Sequence, residues 1–494
     1  MNNQSHTLVI GAGIGGLTAA ALLLRAGHRV TVIESHIYPG GCAGTFYHQQ
    51  YLFDAGATLA GGFSPGGPHA RVADLLDLEW PVRPADPAWI VHLPDGRTVT
   101  QWADPDRWRA EWQAHFPATG SFWRAQEMLA DISWDISSRP FPWPPQSAVD
   151  YLRLAQSLRP SILRAVPYLT RTMAGIAPID DPMFRTFLDG QLLISAQTTA
   201  NAANALYGSA ALDLPRQGVN HVRGGIGSIA KTLATWISDH GGDVIYRQQV
   251  ECIRPSASRP FMIRTKKGLE FQADNVLANV TPWALRDLLG EAAPKSLKQE
   301  VDRRQPTWGA FTLYLGLDAK AIPNGATSHH QVIVDPHKPL GEGNSVFISL
   351  ADPQDPSRAP EGKVAATLST HTAVEPWWRL AEDGRSGYLE RREEYAERML
   401  DAADLALPGI RQAVRLCLPG TPITFDYFTR RPSGMVGGFP QTSLFKARGP
   451  RTGLPNLWLV GDSIFPGQST AAVTLGAMRV AADVLRATPA AAKG

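Results

Sequence analysis

Three glycines and one glutamate near the amino terminus have the spacing of a phosphate-binding site. Gly11-Ala12-Gly13-Ile14-Gly15-Gly16 follows the apolar run Thr7-Leu8-Val9-Ile10. A helix-like run, Leu17 to Arg25, comes next. Gly27 then leads into a second strand-like run, Val30-Thr31-Val32-Ile33, which ends in Glu34. This order reads as a complete βαβ unit. Gly11 allows a tight turn, Gly13 lets the backbone approach a pyrophosphate, and Gly16 lets the helix sit close to the strand. Unpaired N–H groups at the helix start, around Gly15, would face the anion. Glu34 stands where a carboxylate accepts hydrogen bonds from ribose hydroxyls, and it would repel a 2'-phosphate. A glycine-rich turn in an ordinary βαβ unit would not explain an acid at this spacing.

The residues after Glu34 choose between dinucleotides. Ser35 begins a stretch that reaches a second glycine pair, Gly40-Gly41, before Cys42 and Gly44. A chain running along an extended FAD molecule has this character. Near the carboxyl end, Asn456-Leu457-Trp458-Leu459-Val460 is a short buried strand ending in Gly461-Asp462, with a helix-like stretch from about Thr470-Ala471. Such a strand brings an Asp to a ribityl chain and a helix N-terminus to the flavin ring. Both ends of the chain would build one FAD site, with the middle inserted between them.

With Pro39-Gly40-Gly41 and Val222-Arg223-Gly224-Gly225-Ile226-Gly227 added, the chain resembles the carotenoid desaturase and isomerase group of FAD-dependent, amine-oxidase-like proteins over nearly its full length. Shorter stretches are similar to the cyanobacterial-type carotenoid 3',4'-desaturases. These are Phe53-Asp54-Ala55-Gly56-Ala57-Thr58, Pro65-Gly66-Gly67-Pro68-His69, Asp86-Pro87-Ala88-Trp89, Trp102-Ala103-Asp104-Pro105 and His115-Phe116-Pro117 with Phe122-Trp123. The resemblance implies an α/β fold: a Rossmann-like FAD-binding domain carrying an inserted mixed β-sheet and helical substrate domain. It also implies cofactor contacts at Gly56, Ala57, Arg223, Gly224, Gly225 and the backbone near Val250. The implied activity is 3',4'-desaturation of a linear or monocyclic carotenoid taken from a membrane, with the electron acceptor left open between oxygen, a quinone and another bound carrier. Rival readings are a redox-neutral polyene isomerase or a saturase in the same fold, a carotenoid-binding protein that keeps FAD as structure, and an amine oxidase.

Composition agrees with a large folded enzyme. The 494 residues are 44% hydrophobic and 19% charged, with a formal net charge of +2. That balance lacks the basic footprint of a nucleic-acid binder. The three cysteines, Cys42, Cys252 and Cys417, are far apart and have no metal-ligand spacing. They point to a reducing, cytoplasmic compartment. No signal peptide is expected, and no apolar run is long enough to span a bilayer. H-E-x-x-H and G-x-S-x-G are both missing, which removes zincin and serine-hydrolase readings.

The expected FAD domain comprises residues 1–75, 216–300 and 420–494. Residues 76–215 and 301–419 form the substrate domain. Residues 120–215 read as largely helical, broken by Pro140, Pro142, Pro144 and Pro145. A hairpin is expected over 255–280, a mixed sheet over 305–430, and an amphipathic helix from Gly387 to Leu405. Arg139, Arg153, Arg159, Arg164 and Arg171 are opposed only by Asp150 and interleaved with leucines and aromatics. This basic amphipathic segment fits either a solvated helix face or a peripheral membrane dock. His329-His330 point to opposite faces of a strand, so a metal pair is not expected. Trp283 is expected in the core or beside the adenine. Arg430 and Arg431 are placed near the flavin end, to stabilise reduced flavin or to pair with carboxylates. Cys42 reads as a buried structural thiol.

Overall fold

The computed structural model describes residues 4–139, 141, 143–177, 180–256, 261–304, 308–323 and 326–488. Pro140 and Pro142 and the Ala-rich tail lie outside the described residues. The glycine-rich unit forms as its sequence requires. The strand His6–Ile10 is wholly buried, and the helix Ile14–Arg25 turns Ala19, Ala20, Ala21 and Leu23 inward with no exposure. Small side chains let this helix lie close to its neighbours. It packs against the helices Gly227–Asp239 and Thr470–Ala487. Its N-cap is Gly13, which offers no side-chain acceptor. The first-turn N–H groups are therefore left for something else.

Around this unit runs a five-stranded parallel sheet. Its spatial order is Asp243–Ile245, Arg29–Ile33, His6–Ile10, Asn275–Ala278, Leu457–Leu459. In chain order this is 3-2-1-4-5, so the strand order reverses beside the first strand. Ligands of open parallel sheets bind at the carboxyl ends of the strands at such a point. The expected hairpin is seen as Phe261–Thr265 paired antiparallel with Glu270–Ala273.

A second, seven-stranded sheet is mixed. Its order is Val414–Gly420, Gly309–Asp318, Lys363–Thr372, Ser345–Leu350, His329–Ile333, Trp89–His92, Thr98–Gln101. All neighbours are antiparallel except His329–Ile333 with Trp89–His92. The sheet thus recruits two strands from near residue 90, outside the 305–430 stretch where its strands were expected. The helix Arg385–Ala406 covers it. Helices between 105 and 212 form a third layer with its own core, where Phe116, Phe122, Phe184 and Phe187 are fully buried. The basic segment is not one helix. It runs as a helix Ala148–Ser157 followed by a 3₁₀ stretch Pro160–Tyr168.

Four histidines are held as neutral imidazoles, His69, His329 and His330 buried and His371 partly exposed on a cavity wall. Burial pulls His69 and His329 down to about 3, and His330 and His371 down to about 4. His69 stacks on Phe63 at 4.4 Å, and neither of its ring nitrogens has a partner among the described residues. Such groups bind a proton in the unfolded chain below pH 6.5 but not in the folded one until their lowered values are reached. Stability therefore falls as pH drops from 6.5 towards 4, by about 1.4 kcal/mol per group for each pH unit. Replacing His69 by Phe keeps the stack and removes one such loss. The pH dependence of the thermal midpoint between pH 7 and 5 becomes shallower in His69→Phe; a slope equal to that of the parent protein would refute this assignment.

Candidate functional site

The main cavity lies where the parallel sheet reverses. Gly11 sits at its wall with φ +95°, a left-handed conformation that needs glycine. A Cβ on Gly11 would stand 2.9 Å from the Asn279 carbonyl oxygen, and one on Gly13 would stand 2.6 Å from Asn279 Nδ2. On Gly16 it would meet the Gly11 carbonyl at 2.5 Å. Gly16 does not reach the cavity: it sets how closely helix and strand pack, as its place in the motif requires. A Cβ on Gly15 would press on Gly461 at 3.1 Å and Val473 at 3.0 Å, so the two chain ends meet here. Asn279 locks the arrangement, with its Nδ2 donating to the Gly11 carbonyl at 3.2 Å.

Glu34 is buried at the same wall. Its Oε2 accepts from the Ala12 N–H at 2.7 Å, and its Oε1 from the His36 N–H at 2.7 Å and the Ser35 hydroxyl at 3.1 Å. These bonds fix the carboxylate, and Oε2, with one bond, keeps a lone pair for a ribose hydroxyl. Ser35 and Val250 line this end of the cavity. Gly40 donates to the Ala12 carbonyl at 2.9 Å, holding Gly40-Gly41 opposite Gly13. Cys42 accepts from the Ala57 N–H at 3.0 Å, which ties Gly56 and Ala57 to the wall. Burial pushes the Cys42 thiol up, so it stays neutral.

Gly461, Asp462, Thr470 and Ala471 line the other end. Arg431 Nη1 donates to Asp462 at 2.9 Å and Arg431 Nε donates to the Met435 carbonyl at 2.9 Å. Burial alone would lower the Arg431 guanidinium; the Asp462 carboxylate and the Cys42 side chain together hold it above its usual range. Of the two roles weighed for Arg431, pairing with a carboxylate is what the structure contains. Ser469 caps the helix Thr470–Ala487 by accepting from Ala472, and that helix starts at the cavity wall. Trp283 is in the core instead, 5.6 Å from Phe439.

Arg223, Gly224 and Gly225 are not on the cavity wall, contrary to the sequence expectation. The Arg223 N–H donates to the Pro81 carbonyl, the Gly224 N–H to the Asp355 carboxylate at 2.6 Å, and the Ile226 N–H to Asp54 at 2.9 Å. Asp54 is also paired with Arg358 at 3.0 Å, with both side chains about 10% exposed. This turn binds Asp54, at the end of the strand Tyr51–Asp54, and Asp355, in the loop between the strands Ser345–Leu350 and Lys363–Thr372 of the second sheet, and so fastens that sheet to the glycine turn. His329 and His330 diverge: His329 Nδ1 meets the Ser349 hydroxyl at 3.0 Å, and His330 Nδ1 meets His92 at 3.1 Å.

The cavity is about 1210 Å³ and continues past the glycines into an apolar chamber walled by Leu59, Trp89, Ile194, Leu214, Val219 and Phe347. One small-molecule pocket seldom exceeds about 1,000 Å³. There is room for a dinucleotide and a second apolar ligand. Two polar side chains overlooked in the sequence face the chamber. Gln197, buried at the end of the helix Pro182–Ala196, donates to His371 Nε2 at 3.1 Å. Its Oε1 has no partner among the described residues.

Residues 14–485 match the family described as flavin containing amine oxidoreductase. The chain belongs to that family. Its cofactor is FAD, and the cradle fits one: the uncapped helix start after Gly13 and the Gly40-Gly41 turn flank the cavity, with Glu34 at one end and Asp462 at the other. The flavoprotein is 30% identical to prolycopene isomerase of Arabidopsis thaliana, over 97% of this chain and 82% of that one. It is 25% identical to the neurosporene-forming phytoene desaturase of Rhodobacter capsulatus, over 98% and 95%. An oxidoreductase from Methanosarcina mazei shares its fold, with a TM-score of 0.65 at 20% identity, covering 96% of this chain and 99% of that one. The resemblance to the carotenoid desaturase and isomerase group is borne out.

The cradle makes two opposed predictions for this flavoprotein. Glu34→Ala loses a hydrogen bond to a charged group, worth about 1.5–3 kcal/mol, so the Kd for FAD rises at least about tenfold in a flavin-fluorescence titration. Arg223→Ala leaves that Kd within about twofold of the parent. An unchanged Kd in Glu34→Ala, or a loss in Arg223→Ala as large as that expected for Glu34→Ala, would contradict the placement.

Proposed function

We propose that this protein is a carotenoid-modifying FAD enzyme that desaturates a linear or monocyclic carotenoid at its 3',4' bond. The observation that carries the reading is the apolar chamber continuous with the cofactor cradle. A polyene offers no charge and few hydrogen bonds, so its site is a water-excluding apolar space beside the reactive part of the cofactor. Bound FAD supplies a hydride acceptor.

The protein must still place a proton. In the chamber, His371 is a neutral imidazole whose Nε2 lone pair faces Gln197. Burial draws it down to about 4, so it is unprotonated at neutral pH. It takes up the proton lost from the carbon next to the one that gives up hydride. Turning the Gln197 amide presents the partnerless Oε1 to the new imidazolium N–H, which offsets the burial of that charge. Asp462 and Arg431 orient the cofactor, and the apolar walls hold the chain and exclude water.

A second reading has a specific observation in its favour: the relative with 30% identity is named a prolycopene isomerase. Redox-neutral cis–trans isomerisation needs the same cradle and chamber but no net loss of hydrogen. Mass analysis of the product separates the two. Purified protein given candidate carotenoids in liposomes yields a product two hydrogens lighter under the desaturase reading. An isomer of unchanged mass would replace that reading with the second. Under the first, His371→Leu slows turnover about 100-fold or more, the usual worth of a positioned base, with flavin content unchanged. Parent-like turnover in His371→Leu would remove this residue from the chemistry.

A further inference from the structure

A polar row crosses one face of the seven-stranded sheet where it meets the cradle. Tyr314, Thr367, Ser349 and His329 are direct neighbours on four adjacent strands, so their side chains share a face. The first three reach the segment 54–58. Tyr314 donates its hydroxyl to the Ala55 carbonyl, Thr367 Oγ1 donates to the Asp54 carbonyl at 3.3 Å, and the Ser349 hydroxyl donates to Thr58 Oγ1 at 2.7 Å. Two of these bonds end on backbone and anchor the segment. The third ends on a hydroxyl, and its donor is backed by a buried histidine. Anchoring needs no imidazole there, since an amide would hold Ser349 without the loss of stability in acid.

The bonds of this row have a direction. Because the Ser349 hydrogen goes to Thr58, the Ser349 oxygen accepts from His329 Nδ1–H at 3.0 Å. Nε2 of the same neutral ring is then an acceptor. Thr58 has no acceptor for its own hydrogen among the described residues. It lines the cavity between Ala57 of the cradle and Leu59 of the chamber. On the outer side, the half-buried His221 stacks on His329 with ring centres 5.9 Å apart. The strand partner of His221 is Arg83, whose side chain is 40% exposed and paired with Asp352. The titratable and charged groups that face His329 are His221, His330 and Arg358, the last paired with Asp54.

We propose that His329, Ser349 and Thr58 deliver protons from the His221 side to the junction of cradle and chamber while the reduced cofactor is reoxidised. The acceptor is of the two-electron, two-proton class, to which oxygen and quinones belong. It takes a hydride equivalent, two electrons with one proton, from the reduced cofactor, and the second proton from Thr58. Ser349 reprotonates Thr58, and His329 Nδ1 reprotonates Ser349, while His329 Nε2 takes up a proton from the outer side. The ring ends as its other neutral tautomer, so no charge is left where burial opposes one. The inference rests on the desaturase reading, in which His371 returns its proton to solvent: the polyene loses two hydrogens, the acceptor gains two, and solvent gives one proton and regains one.

Reoxidation of the flavin-loaded, photoreduced protein with no carotenoid present tests this separately from the desaturase reading. In stopped flow, His329→Gln and Ser349→Ala each slow reoxidation by oxygen and by a soluble benzoquinone about tenfold or more. Solvent deuterium slows the parent and no longer slows the variants. Glutamine keeps a donor for Ser349 but cannot exchange tautomers, so a merely structural histidine predicts parent-like rates in His329→Gln. Ferrocenium, which takes an electron and no proton, reoxidises the parent and both variants at the same rate, with flavin content unchanged. Nitrogen NMR of histidine-labelled protein reads the ring directly: a neutral imidazole protonated at Nδ1, whose signal is missing from His329→Gln. Parent-like oxygen and quinone rates in both variants, an equal slowing with ferrocenium, or a ring protonated at Nε2 would overturn the proposal.

Discussion

Backbone-to-backbone contact around Asn279 governs this molecule. Four glycines, Gly11, Gly13, Gly16 and Gly461, converge there because no Cβ fits. A Cβ on Gly461 would stand 2.8 Å from Asn279 Oδ1, and one on Gly16 would stand 3.0 Å from Asn279 Cβ. The Asn279 N–H continues the sheet by donating to the Ile10 carbonyl at 2.9 Å, while its side chain caps the turn. Three segments separated by more than 180 residues are drawn to one point. The helix start is left without a side-chain cap, and the N–H groups that would otherwise be buried unpaired line the cradle. The cofactor site is the space that this packing leaves.

The second sheet depends on that point indirectly. It reaches the cradle through Asp54, Arg358 and the turn at Gly224-Gly225, a buried charge pair in which Asp54 also accepts from the Ile226 N–H and the Thr45 hydroxyl. Removing one partner of such a pair strands the other charge, at a cost of about 3–5 kcal/mol. The join has to be this firm because the apolar chamber is walled by both sheets and by the helical layer. A shift of the sheet domain would open the chamber to water beside the flavin.

Much of the cradle was legible in the sequence because local spacing dictates it. Gly11, Gly13, Gly16 and Glu34 have their roles fixed by strand, turn and helix within 30 residues, and Gly461-Asp462 follow a recognisable buried strand. Gly224-Gly225 misled for a physical reason. A glycine turn presents its N–H groups in the same way whether a phosphate or a carboxylate accepts them. Only the tertiary fold brings Asp54 and Asp355 there. Asn279 and the Gln197–His371 pair were hidden likewise, since 174 positions separate the last two and no local pattern marks them. The strands near residue 90 joined a sheet of distant partners by long-range pairing. Counting arginines in 139–171 located the exposed segment, but not its two-part shape, set by Pro160 and the cap at Ser147.

The account's central claim is that cradle and chamber form one continuous reaction space for oxidation of a polyene. Anaerobic mixing of the flavin-loaded protein with a single equivalent of carotenoid in liposomes tests it most directly, because nothing else in the mixture can accept the electrons. The account predicts that flavin absorbance bleaches in step with a red shift of the polyene, one flavin reduced for each double bond formed. A polyene whose spectrum changes while the flavin stays oxidised, or a flavin that bleaches without any change in the polyene, would contradict it.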